Sequence, residues 1–320
     1  MAFASRLTRN PAVPARSPIK WAPLSGGAAR QDRARARRSD SIGKISALAS
    51  AALLLAGMIS ACSREPDSDR MKASAAKTVA SNAPLGFART SPDAQVTLSL
   101  PEPIKAYPEL HERLYKDGET TLTAFLDQAR KDRAEQSADG FPVPAYYQKI
   151  EWKISAQSPR LLSVYAEQND FEGGAHPNTS FRALLWDKDK AALIPTAELF
   201  SSDADLKGVD DYVCHQIEAQ RARRSGQPVN ETASGFNCPK FADSRLILVP
   251  SSQAGKIGAI DALYAPYDVG PYAEGPYEVR VPQSQLKGLI APQYADQFAG
   301  EAAAETAFAD PDANKDQATQ

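Results

Sequence analysis

The sequence predicts an α+β fold, an antiparallel sheet with two main helices, and two observations carry that prediction. Between residues 146 and 194, apolar and polar residues alternate in short runs separated by turn residues, the pattern of a half-buried antiparallel meander. Two amphipathic helical patterns, from 108 to about 134 and from about 203 to 221, stand outside that meander instead of following each strand in turn. Helices segregated in this way belong on one face of an antiparallel sheet. The stretch from 93 to 291, about 200 residues, can bury a core without staples.

In chain order, the first feature is a basic leader. Of the 37 Lys/Arg and 39 Asp/Glu residues, 1–61 hold ten and two, about +8; 62–320 hold 27 and 37, about −10. An acidic body argues against nucleic acid as partner and suits a cationic one. Residues 45–59 form a fifteen-residue run without a charge. A membrane-spanning helix needs roughly 20 apolar residues, so the run reads as the h-region of a signal peptide. It leads into Ile59-Ser60-Ala61-Cys62, which resembles the lipobox of bacterial lipoproteins. The resemblance implies cleavage before Cys62, lipidation of its thiol and, with Ser63 behind it, the outer membrane of a Gram-negative cell. The alternative is a plain secretory signal with an incidental cysteine. Residues 1–43 are longer and richer in Arg and Pro than an ordinary n-region, which a mis-assigned start would explain.

Residues 62–92, rich in Ser, Ala, Pro and Asp, read as a flexible tether. Order is expected from Ala94, where Val96, Leu98 and Leu100 alternate with polar neighbours. Pro108 suits a first helical turn, and Leu110, Leu114, Leu122, Phe125, Leu126 and Ala129 form one stripe; Gly118 lies on that stripe and would bend or interrupt it. Ile150, Trp152 and Ile154 mark a two-faced strand. Strands at 161–168 and 179–186 flank Asp170-Phe171-Glu172-Gly173-Gly174-Ala175-His176-Pro177-Asn178, a turn whose two glycines supply positive backbone angles. Asp187-Lys188-Asp189-Lys190 is a polar hairpin turn. The second helix carries Leu206, Val209, Val213 and Ile217 at helical spacing, with Asp203 and Asp205 near its start and Arg221, Arg223 and Arg224 at its end, as the helix dipole favours. Further strands follow near 246–248, 256–263 and 277–281, then a short helix at 284–289 and a disordered tail at 292–320.

With Cys62 lipidated, Cys214 and Cys238 are the remaining cysteines, in an oxidising compartment if the export signal acts. They form a disulfide or stay as two buried thiols; the bridge would stabilise by about 3 kcal/mol on the chain-entropy account.

Phe171-Glu172-Gly173-Gly174-Ala175-His176, Leu199-Phe200 ahead of the second helix, and the segment running from Tyr267 through Pro271-Tyr272-Ala273 and Gly275 to Val279 and Val281-Pro282 stand in a fixed order. In these three motifs, across about 93–291, the chain resembles a bacterial extracytoplasmic family. That family includes the sensor domain of RsiV-type lysozyme-sensing anti-sigma factors and the non-catalytic N-terminal region of PdaC-type peptidoglycan deacetylases. The resemblance implies two linked subdomains, PdaC-like at 93–175 and RsiV-like at 176–291, in the cell envelope. It makes Gly173, Gly174, His176 and Gly275 structural motif residues. It does not extend to the deacetylase's catalytic domain, whose closely spaced metal ligands have no counterpart in the widely separated His111, His176 and His215. No metal or other cofactor is expected.

His176 could be a general base oriented by Glu172, or the two could tie the turn to nearby backbone; the absence of a partner histidine in the sequence favours the turn. His111 and His215 read as surface or helix-face residues. Tyr264, Tyr267, Tyr272 and Tyr277 are candidate binding residues, since tyrosine-rich loops suit carbohydrate or protein recognition, though they would equally pack a turn. Two functions stand against each other. One is a lipid-anchored envelope module without catalysis that recognises a cell-wall-lytic enzyme such as lysozyme, or peptidoglycan. The other is an envelope hydrolase acting on cell-wall glycan with His176 as general base.

Overall fold

The computed structural model describes residues 82–138, 144–229 and 237–303. The basic leader, Cys62, the tether as far as residue 81 and the tail beyond 303 lie outside the described residues. Six strands form the first sheet in chain order: β1 (Gly86–Thr90), β2 (Ala94–Ser99), β3 (Tyr146–Gln157), β4 (Leu161–Phe171), β5 (Asn178–Asp187) and β6 (Ala192–Ile194). A second sheet holds β7 (Arg245–Pro250), β8 (Ile257–Tyr264) and β9 (Tyr277–Pro282). The fold is α+β as expected, and its meander β3–β6 is antiparallel throughout.

One pair departs from the antiparallel rule. β2 and β3 run parallel, and the helix α1 (Pro108–Ala138) connects them. Parallel neighbours require a long crossover, which this 31-residue helix supplies. Its stripe of Leu110, Leu114, Leu122, Phe125 and Ala129 buries against Val96, Leu98, Ile150, Trp152 and Val164. Gly118 does not interrupt α1. A Cβ there would stand 2.6 Å from Leu98 Cδ1, so glycine is what lets the helix lie this close to β2.

The chain is ordered earlier and later than its composition suggests. β1 falls inside the stretch read as tether; it is a short, partly exposed edge strand whose Phe87 meets Tyr115 of α1 edge-on at 5.9 Å. His111 lies on a buried face of α1, and its Nε2 is 2.8 Å from the Pro84 carbonyl oxygen just ahead of β1. At the other end, the helix expected at 284–289 is a single 3-10 turn, Gln283–Gln285. The expected disordered tail begins with a short helix, α3 (Pro292–Ala295), and then runs along β8. Ile257 N donates to Gln297 O at 2.9 Å, and Ala299 N to Ile257 O at 3.0 Å. Tyr294 is fully buried there, and its hydroxyl donates to the buried Asp187 carboxylate at 3.1 Å. Burial of that one ring anchors a segment whose Ala/Asp/Gln content suggests disorder.

The helix α2 (Lys207–Ser225) starts four residues later than expected, with Asp205 Oδ1 accepting from Lys207 N at 3.0 Å. Val209, Val213 and Ile217 pack against Leu246, Leu248, Ile260, Val279 and Val281. All eight residues of β8 are buried, since α2 covers one face of the second sheet while Tyr165 and Phe181 of the first sheet meet Ile247 and Leu263 on the other. Side chains of α2 also cover the free edge of β9: Gln220 Nε2 donates to Glu278 O at 2.8 Å and Tyr212 OH to Arg280 O at 3.2 Å. Cys214 and Cys238 are disulfide-bonded, with Cα atoms 5.4 Å apart, fastening α2 to the chain ahead of β7.

Candidate functional site

β4 and β5 pair as far as Asp170 opposite Asn178, which confines the turn to residues 172–177. Of the two glycines, only Gly173 has the left-handed angle, φ +81°; Gly174 does not, correcting the expectation that both supply it. The ring of Tyr146 lies directly beneath Gly173, where a Cβ would come within 3.0 Å of it. Glu172 stands exposed on the same turn.

His176 is exposed at the end of this turn, and both its ring nitrogens have partners. Nδ1 lies 2.9 Å from Pro177 O, which can only accept, so Nδ1 carries the hydrogen. Nε2 is then the acceptor facing the Tyr267 hydroxyl at 3.4 Å. The imidazole stacks on the ring of Tyr272 with centroids 3.7 Å apart and planes 19° from parallel, and the Tyr272 hydroxyl donates to Pro177 O at 2.8 Å. Tyr267 and Tyr272 stand 5.6 Å apart. A ring from the β4–β5 turn thus meets two rings from the β8–β9 connection, more than 90 residues further on. With its nitrogens engaged by a carbonyl and a phenol, His176 is built into a lock between two loops.

The four tyrosines divide. Tyr267 is 55% exposed and Tyr272 half-buried, while Tyr264 and Tyr277 are buried opposite one another on β8 and β9. The last two are therefore core residues, which corrects their reading as binding residues. Burial pushes the Tyr264 phenol up to about 12, against the opposing effect of its hydrogen bond with Ser244, and raises that of Tyr277 as well. The strands that hold both rings end where the loop begins, so inward and outward positions alternate no further.

Two ion pairs hold the loop. Glu274 lies in the 3-10 turn Tyr272–Glu274, which ends at Gly275 with φ +75°. Its carboxylate accepts from Arg221 Nε at 2.9 Å and from the Tyr277 hydroxyl. Arg221 and Glu274 side chains are only 7% and 12% exposed. Burial pushes the Glu274 carboxyl up, but the bonds from Arg221 and Tyr277 outweigh it and hold the group below its ordinary value. Arg224 donates to the carbonyls of Glu274 and Pro276, both at 2.7 Å, and lies over the Tyr277 ring at 4.0 Å. At the loop's start, Asp268 accepts from Ala265 N at 2.9 Å and from Arg245 at 3.0 Å. Arg221 is therefore not a helix-dipole residue. It continues the buried spacing Val209, Val213, Ile217, and that four-residue step was the signal in the sequence that its charge points inward.

The three histidines occupy separate places: His111 buried on α1, His176 on the turn and His215 exposed on α2. Among the described residues no three His, Cys, Asp or Glu side chains gather as a metal-holding group. Among them too, no helix is long and apolar enough to cross a membrane.

The architecture defines an α+β domain with an aromatic surface where two loops meet, and residues 89–179 match the family model described as "Deacetylase PdaC". That segment runs from the end of β1 through α1 and the Gly-Gly turn into the start of β5. Over 189 residues, 55% of this chain and 75% of theirs, the chain is 25% identical to immunogenic protein MPB64 of Mycobacterium bovis and to immunogenic protein MPT64 of Mycobacterium tuberculosis. Among solved structures it is similar to a DUF3298-family member from Bacteroides fragilis, at 15% identity and a TM-score of 0.45 over 64% of this chain and 87% of that one. It is also similar to a DUF3298-family protein from Pseudomonas aeruginosa, at 16% identity and a TM-score of 0.42 over 69% of this chain and all of that one.

Proposed function

We propose that this protein is a non-catalytic binding module of the cell envelope, exported by its signal peptide and tethered through lipidated Cys62. Its partner is a cell-wall-lytic enzyme such as lysozyme, or peptidoglycan itself. The observation that carries this reading is the convergence of His176, Tyr267 and Tyr272 on an exposed surface whose loop is braced by the buried Arg221–Glu274 pair. Rigid aromatic side chains on a supported loop suit recognition, since they contribute large contact area at little cost in conformational entropy. The PdaC-type segment supports an extracytoplasmic location, and the charge of about −10 on residues 62–320 suits a cationic partner.

The test is co-sedimentation of the purified chain with isolated sacculi, alongside capture by immobilised lysozyme, each at low and high salt. Retention by one of the two is the expected result. A chain that binds neither under any of these conditions is not a wall-partner module.

A further inference from the structure

The surface formed by Tyr267, Tyr272 and His176 is small and aromatic, and the carboxylates of the loop that carries the two tyrosines are paired with arginines; those properties choose between the two partners. Resting on the binding-module reading above, we infer that this surface is a glycan subsite that takes the C–H face of a pyranose ring, with Tyr267 as the principal stacking side chain.

Size is the first argument. A stable protein–protein interface takes about 800 Å² from each partner. Three clustered rings, each able to bury roughly 150–250 Å² and two of them already partly covered by one another, offer a fraction of that. The area matches one sugar ring lying on one or two aromatic faces.

Charge is the second. Capture of a cationic enzyme at this surface would use carboxylates facing the partner. Asp268 and Glu274, the carboxylates of the loop itself, are paired with Arg245 and Arg221. What the surface presents is the negative π face of aromatic rings, which attracts the weakly positive axial hydrogens of a pyranose without needing net charge.

Backbone conformation is the third. Tyr267 has φ +75°, a left-handed angle that glycine adopts freely and a tyrosine does not. The turn is closed by Asp268 N donating to Ala265 O at 3.0 Å, and it holds out a Tyr267 side chain that is 55% exposed. A strained backbone that holds out an aromatic ring is the arrangement of a ligand-contacting residue. The two-ended bracing of the loop by Asp268 and Glu274 keeps that ring in place before any ligand arrives.

Isothermal titration of the purified full chain with the β-1,4-linked tetramer of N-acetylglucosamine tests the inference, with sacculus co-sedimentation and lysozyme capture run on the same preparations. The wild-type chain is expected to bind the tetramer. Tyr267→Gly removes the ring and relieves the backbone, so it should weaken binding at least tenfold with Tm unchanged or raised; Tyr267→Trp keeps a stacking face and should stay within threefold of wild type. Undiminished tetramer binding by Tyr267→Gly overturns the subsite. So does a wild-type chain that captures lysozyme while binding neither the tetramer nor sacculi, a result that leaves the binding-module reading standing. Failure to bind any of the three removes both.

Discussion

Replacing Arg221 with methionine tests the bracing of the aromatic loop directly. The methionine fills much of the same space and removes the charge and its fork of donors. Glu274, 12% exposed, then retains the Tyr277 hydroxyl as its side-chain donor and loses the two guanidinium contacts at 2.9 and 3.4 Å. Removing one partner of a buried ion pair costs about 3–5 kcal/mol, because the remaining charge must stay desolvated or take up a proton. Taking the lower figure, since Glu274 is not fully enclosed, about 3 kcal/mol at roughly 2–4 °C per kcal/mol lowers Tm by roughly 6–12 °C in a domain of this size. Thermal unfolding followed by circular dichroism at pH 7 measures it, and a cycle with Glu274→Leu separates the pair from its surroundings. The double variant should recover much of the loss, as buried pairs replaced by apolar residues often do. If Arg221→Met moves Tm by under about 1 °C, or if the double variant loses the full sum of the singles, the pair does not brace the loop and the argument fails.

Three further outcomes follow from features elsewhere in the fold. Cys214→Ser with Cys238→Ser should cost about 3 kcal/mol, read as a lowered urea midpoint that reductant also produces in the wild-type chain. Gly118→Val should destabilise by about 1–3 kcal/mol despite the better helix former, because its side chain meets Leu98, and pairing it with Leu98→Ala should return part of that in chemical denaturation. The Asp187 carboxyl, raised by burial but lowered further by Arg160, the Lys190 amide and Tyr294, lies below its ordinary value of about 3.9 when folded. Its contribution is therefore fully present above the ordinary value and lost as pH falls through the folded one, so stability measured by urea unfolding should drop through and below about pH 4, and less steeply in Asp187→Asn.

Much of the framework was legible in the sequence because it is written in local periodicity. Ile150, Trp152 and Ile154 alternate because one face of β3 meets α1, and Val209, Val213 and Ile217 repeat because one stripe of α2 meets the second sheet. What local pattern could not show is which distant group each polar residue meets. His111 looks like a surface or helix-face residue until Pro84 is placed beside it, 27 positions away. Tyr264 and Tyr267 are three residues apart, yet one closes a core and the other stands in solvent, because the strand ends between them. β1 was hidden for the opposite reason: an edge strand with few buried side chains has no apolar rhythm to display. Tyr294 and Phe298 are two rings in a segment whose composition reads as disordered, and two rings are too few to display a period.

The contacts of Tyr267 with His176 and of Tyr272 with Pro177 span 91 and 95 positions of chain. Contacts of such separation form late, after the entropy of closing the intervening chain has been met by other structure. Neither the PdaC-type segment alone nor the second sheet alone carries this surface. A chain whose β4–β5 turn and β8–β9 connection have not met lacks the surface altogether, so on the binding function proposed above affinity would report on completed folding.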